Sequence, residues 1–188
     1  MIMEETKQPI IGIVGKQGSG KDSAAKYIAQ TFGFVHISLS DIIRDYLDEN
    51  KLGKETRPLM IEIGNKLRSE HGPDYLAQQA LVQAKGKSVV MSSIRNPFEL
   101  ETLHKAGATI IEVRATPELR YSRSVKRQRD GDDITLDEFI KNEKIELASN
   151  NQNAQQLMTV ISEADMIIEN NGTLEELYER IDEVMDTI

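Results

Sequence analysis

The sequence has no cysteine, which excludes disulfides, thiolate metal sites and cysteine nucleophiles together. Positive charge is in deficit. The 23 lysines and arginines face 31 aspartates and glutamates, for a formal net charge of −8. No nucleic-acid partner is therefore expected, and any anionic ligand must be small and met by locally gathered basic residues. Long hydrophobic runs are missing too. The longest are about five residues, such as Ile10–Val14, far short of a bilayer span. Met1 to Pro9 is polar and acidic, without a signal-peptide core. No membrane partner and a cytoplasmic location are the matching expectations. There is no repeat, no low-complexity tract and no dividing linker, so residues 1–188 are expected to form one domain with a sizeable core.

Five short β-branched, apolar segments stand out: Ile10–Val14, Phe34–Ser38, Ser88–Met91, Thr109–Val113 and Met166–Ile168. Amphipathic stretches separate them, the pattern of a parallel sheet covered by helices. The clearest helix is the last, with Leu174, Leu177, Ile181, Val184 and Met185 on one stripe and Thr173 as its cap. Asn96-Pro97 and Thr116-Pro117 each place a capping side chain before a proline in the first turn. Two long helical regions, about 40–85 and 117–162, interrupt the strand rhythm and read as insertions over one edge of the sheet.

The strongest motif is Gly15-Lys16-Gln17-Gly18-Ser19-Gly20-Lys21, placed after the first strand and before a helix predicted over Asp22–Thr31. Glycines let backbone N–H groups turn toward an anion, the helix N-terminus adds a favourable dipole, and Lys21 reaches the outer phosphates. Gly15, Gln17, Gly18, Ser19, Gly20 and Lys21 are thus candidate ATP-binding residues. The next position ordinarily carries a hydroxyl for magnesium, and here it is Asp22. P-loop proteins usually keep an acid after another strand. The corresponding stretch here, Ser92-Ser93-Ile94-Arg95, has none. Magnesium accepts a carboxylate oxygen as readily as a hydroxyl. Asp22 is therefore read as a relocated metal-side acid, with Ser23 and Ser92 as helpers; the alternative is an ordinary helix cap.

Other P-loop classes fit less well. A GTPase base-reading loop needs Asn-Lys-x-Asp, whereas Asn65-Lys66-Leu67-Arg68 lacks the acid and lies in a helical pattern. An oligomeric ATPase motor needs a second helical domain. A small-molecule kinase needs an acceptor pocket and cations to cover the transferred phosphoryl. On the acceptor side stands Ser38-Leu39-Ser40-Asp41-Ile42-Ile43-Arg44. Arg44 offers a bidentate fork to phosphate, and Asp41 can orient or deprotonate a hydroxyl. Solvated capping is the plain alternative. Arg95, off a strand end, is a candidate at the ligand edge of the sheet, or else a buried partner of Glu99. Arg57 and Arg68, within 50–85, are further acceptor-side cations. Arg120, Arg123 and Arg127 are spaced to share one helix face and to cover the phosphoryl group, unless that face is merely solvated. Asn170-Asn171-Gly172-Thr173, at the last strand end, is by itself a strand-to-helix turn whose backbone and amide groups could read an adenine edge. His36, His71 and His104 show no metal spacing.

The segment 38–44 resembles the Ser-Thr-Gly-Asp-x-x-Arg segment of adenylate kinases. It also resembles the segment of dephospho-CoA kinases whose aspartate is the catalytic base. Residues 92–99 are similar to the Asp-x-x-Arg-x-Pro-x-Glu segment of phage deoxynucleoside monophosphate kinases and of an archaeal dephospho-CoA-kinase-like family, with Ser92 replacing the acid. The resemblance runs from Ile10 to about Val184. It implies an α/β fold of three layers, α/β/α, with a five-stranded parallel sheet in order 2-3-1-4-5. It implies ATP and Mg2+ as cofactors. The implied catalytic residues are Lys21, Asp41, Arg95, Arg123 and Arg127, and the metal shell is Asp22, Ser23 and Ser92. Ser40, Asp41, Arg44, Arg68 and Arg95 would hold a small phosphorylated acceptor, and Asn171 and Gly172 the adenine. The acceptor is a nucleoside or deoxynucleoside monophosphate, or alternatively dephospho-CoA. A nucleotide-dependent binding switch without acceptor is the reading from another class. Monomer and homodimer both remain open.

Overall fold

The computed structural model describes residues 8–127, 135–147 and 156–188. Five strands form one parallel sheet: β1 (Ile10–Val14), β2 (Val35–Ser38), β3 (Val89–Ser92), β4 (Ala108–Arg114) and β5 (Met166–Glu169). Their order is β2-β3-β1-β4-β5, with β1 between β3 and β4 and its Ile11 opposite Val90 and Thr109. This is the expected three-layer P-loop arrangement.

Strand side chains alternate between faces, so each face of the sheet builds its own core. Ile11 and Ile13 of β1 join Val90, Ile111, Val113 and Ile168 under α1 (Lys21–Phe32) and α9 (Leu174–Met185). Val14, Met91 and Ile110 face the other way. They pack against α2 (Leu39–Glu49), α3 (Arg57–His71), α4 (Tyr75–Ala84), α5 (Pro97–Lys105) and α8 (Leu157–Ser162). α6 (Pro117–Arg127) and α7 (Leu136–Leu147) rise beyond the end of β4. The expected 40–85 region therefore holds α2 to α4, and the 117–162 region α6 to α8.

Local signals set the helix ends. Asn96 and Thr173 each form a capping box, closed by Glu99 and Glu176 respectively. Thr56 accepts from the Leu59 amide ahead of α3. Among the described residues no helix is long and apolar enough to cross a membrane.

Candidate active site

The loop between β1 and α1 is shaped by what surrounds it. Gly18 and Gly20 have φ of 76° and 100°, values that side chains other than glycine rarely adopt. A Cβ on Gly18 would lie 2.4 Å from the Arg120 carbonyl oxygen, and one on Gly20 would lie 2.2 Å from Asn170 Nδ2. The loop is thus clamped between α6 and the end of β5. Asn170 is buried and donates through Nδ2 to the Ser19 carbonyl at 2.7 Å. Arg120 donates through Nη1 to the Gln17 carbonyl at 3.3 Å. Both carbonyls are held from behind, while the Ser19 amide donates back to the Lys16 carbonyl at 3.1 Å and closes the loop on itself.

Lys21 is the first residue of α1, and its side chain is 13% exposed. Gly20 occupies the N-cap in a left-handed conformation, without a side-chain cap. Asp22 therefore lies inside the first turn, half exposed, 3.7 Å from Lys21 Nζ. That removes the helix-cap alternative for Asp22. Ser23 follows, partly exposed.

Ser92 is buried at the end of β3, and its hydroxyl is 2.9 Å from His36 Nε2. Desolvation lowers the His36 imidazole below the ordinary histidine range, against the pull of Asp41 and Asp22. His36 thereby links three candidates: it touches Ser92 and feels both carboxylates. In the sequence His36 shows only the lack of metal spacing, because its partner lies 56 positions away. Among the described residues no three His, Asp or Glu side chains cluster to bind a metal by themselves. Magnesium on a nucleotide needs only one or two protein groups, the rest coming from phosphate and water. Asp22, with Ser23 and Ser92, fits that need.

Asparagine keeps the size of Asp22 and removes its charge. Asp22→Asn is expected to fold normally and to raise the magnesium concentration for half-maximal turnover about 10-fold, equivalent to about 1.4 kcal/mol. Adding Ser92→Asp, next to His36, should recover part of the loss. Turnover titrated with magnesium in wild type, single and double variants checks this. Superimposable curves for Asp22→Asn and wild type would count against a metal-side role.

The acceptor-side candidates gather at the ends of β2 and β3. Ser38 Oγ lies 2.8 Å from Ser40 Oγ and 2.9 Å from Ser93 Oγ, and Ser93 itself has φ of 62°. A left-handed serine at a strand end is uncommon and marks strain at this edge. Arg44 donates to Ser40 at 3.0 Å, to Asp41 at 2.5 Å and to both Glu55 oxygens at 3.1 Å. The Glu55 hydrogen bonds, with help from Asp41, raise its guanidinium above the ordinary arginine value. Ser40 and Asp41 sit within the first turn of α2, whose N-cap is Ser38, so neither is the cap.

Arg68 departs from the expectation. Its side chain is 3% exposed and reaches Glu99 Oε1 at 2.7 Å, while Glu99 is fully buried. Its charge is matched inside the protein, which makes it a structural cation under the site rather than an exposed acceptor-side one. Glu99 also accepts from the backbone amides of Arg95 and Asn96, at 3.1 Å each. The buried pair given above as the alternative for Arg95 is formed instead by Arg68 with Glu99. Arg95 is partly exposed, and its carbonyl accepts from Gln156 at 2.7 Å.

The three arginines of α6 separate. Arg120 is buried and binds the Ala115 carbonyl, the Gln17 carbonyl and Glu143. Arg123 spans the loop after β5, reaching the Asn170 carbonyl at 3.1 Å and the Gly172 carbonyl at 3.4 Å, and desolvation lowers its guanidinium from the ordinary arginine value. The Arg127 side chain lies outside the described residues, as do 128–134, and so does the side chain of Arg57. Asn171 holds the Thr116 amide at 3.0 Å. Its neighbour Asn170, within the same quoted stretch, makes the contact to the P-loop. A cavity of about 260 Å³ opens beside the loop, lined among others by Lys16, Ser19, Val113, Arg120 and Ile161.

A glycine loop clamped over the central strand, feeding a lysine-headed helix on a 2-3-1-4-5 sheet, defines a P-loop nucleotide-binding protein of the kinase-like fold. Residues 11–149 match the AAA domain family. The chain is 32% identical over 184 residues to the UPF0200 protein of Sulfurisphaera tokodaii, across 95% of this chain and 97% of that one. It is 32% identical over 173 residues to the UPF0200 protein of Staphylothermus marinus, across 90% and 87%. The chain belongs to the UPF0200 family, and to the AAA domain family by its P-loop region.

Solved structures share the fold. TT1252 from Thermus thermophilus superposes with a TM-score of 0.64 at 19% identity, covering 97% of this chain and 99% of that one. Shikimate kinase from Bacteroides thetaiotaomicron gives 0.58 at 16%, covering 95% and 98%. At such identities the likeness is one of fold.

Proposed function

We propose that the protein is an ATP- and magnesium-dependent phosphotransferase acting on a small phosphorylated acceptor, with a nucleoside or deoxynucleoside monophosphate as first choice. The observation that carries this is the P-loop, closed on both sides by Asn170 and Arg120 and headed by Lys21. Its remaining groups fall into the roles the reaction needs. Lys21 and Arg95 would balance charge on the transferring group, with Arg123 and Arg127 covering it and Arg123 beside the Asn171-Gly172 loop. Ser40, Asp41 and Arg44 would hold the acceptor. Magnesium, held at Asp22 with Ser23 and Ser92, would neutralise the triphosphate. That solved shikimate kinases use this fold supports a kinase reading.

Dephospho-CoA is the second reading. The mostly exposed Asp41 carboxylate, fixed by Arg44, favours it because it could take the proton of an attacking hydroxyl. A coupled assay of ADP release across the monophosphates and dephospho-CoA tests both. Release stimulated by one acceptor class is the expected outcome. Slow hydrolysis indifferent to every acceptor would instead indicate a nucleotide-dependent switch.

A further inference from the structure

A carboxylate already occupies the cationic field of the P-loop. Glu143, on α7, lies 3.4 Å from Lys16 Nζ and accepts from both terminal nitrogens of Arg120, one of them at 3.1 Å. Lys16 belongs to the loop itself. Arg120 is 2% exposed and simultaneously binds the Gln17 carbonyl. One side chain from α7 therefore bridges two cations that both bear on the phosphate loop. The Phe139 ring, one turn earlier on α7, lies 5.7 Å from the Arg120 guanidinium carbon and holds the helix in place.

Carboxylate and phosphate oxygens are interchangeable partners for lysine and arginine. We propose that Glu143 is an internal stand-in for a ligand phosphate: it neutralises Lys16 and must yield when a nucleotide triphosphate binds. The cavity beside this contact supports the idea. Lys16 and Arg120 line it together with Ser19, whose hydroxyl is buried without a hydrogen-bond partner. A buried hydroxyl left unpaired in this state is a group that a ligand oxygen, or the rearranged loop around it, can satisfy. Because linkage is reciprocal, a contact that opposes nucleotide binding is itself weakened by nucleotide. Docking of α7 and occupancy of the loop then exclude one another at Lys16. The inference rests on the nucleotide-binding reading of the loop.

The test is calorimetry of the full-length protein with a non-hydrolysable ATP analogue and magnesium. Glu143→Gln removes one negative charge from the loop, and its affinity is expected to rise roughly 3- to 10-fold. Glu143→Asp keeps a carboxylate for Arg120 but shortens the reach to Lys16. It should bind more tightly than wild type by a smaller factor, and it serves should the glutamine variant not fold. With Lys16→Gln as background, Glu143→Gln should lose most of its effect. Equal or weaker binding in the folded Glu143 variants overturns the proposal. Failure of the nucleotide reading looks different: neither wild type, the Glu143 variants nor Lys21→Ala would then give a binding isotherm.

Discussion

Replacing Lys21 with alanine is expected to slow phosphoryl transfer at least about 100-fold, the scale seen when one preorganised charge-stabilising group is lost from an active site. Lys21 opens α1, the end of the helix where the dipole favours an anion. Its pairing with Asp22, at 3.7 Å and with Asp22 half exposed, contributes little to folding. The variant is expected to keep its circular dichroism spectrum while kcat falls. Turnover within a few-fold of wild type would remove Lys21 from the chemistry.

The second large effect concerns stability. Glu99→Gln is expected to cost about 3–5 kcal/mol, because it leaves the buried Arg68 guanidinium without its counter-charge. For a chain of this size that corresponds to a fall of roughly 10 °C in melting temperature. Glu99 also ties the Arg95 and Asn96 amides, so the same change loosens the turn that presents Arg95. Arg68→Met combined with Glu99→Gln should recover most of the stability, since no uncompensated charge remains. Thermal melts of wild type and the two variants decide it. A Glu99→Gln protein melting with wild type would mean that the pair does not hold this part of the fold.

What could be read ahead of the structure was local. The five strands were legible as short β-branched runs, with ends shifted by a residue or so, as at Val35 and Ser92. The caps at Asn96 and Thr173 were legible from the capping residue at the head of each helix; the reciprocal bonds from Glu99 and Glu176 came with the structure. The P-loop was legible for the same reason. Pairings between distant positions were not. Arg68 looked like an acceptor-side cation because its partner Glu99 stands 31 residues on. Arg120 looked like one of three equivalent lid arginines, whereas its partners Gln17 and Glu143 come from the loop and from another helix. The helical spacing of Arg120 and Arg123 was right, yet one is buried beneath the loop while the other reaches the β5 end. Asn170 was passed over for Asn171 because nothing in the sequence distinguishes which amide turns inward to Ser19.

Whether the clamped loop takes a nucleotide decides between a working P-loop and a merely structural turn. Titrating wild-type protein with a non-hydrolysable ATP analogue, with and without magnesium, measures that at equilibrium and needs no knowledge of the acceptor. The expected result is saturable binding of one analogue per chain, tightened by magnesium and lost in Lys21→Ala. An absence of binding by folded wild-type protein, or binding that Lys21→Ala leaves unchanged, would contradict it.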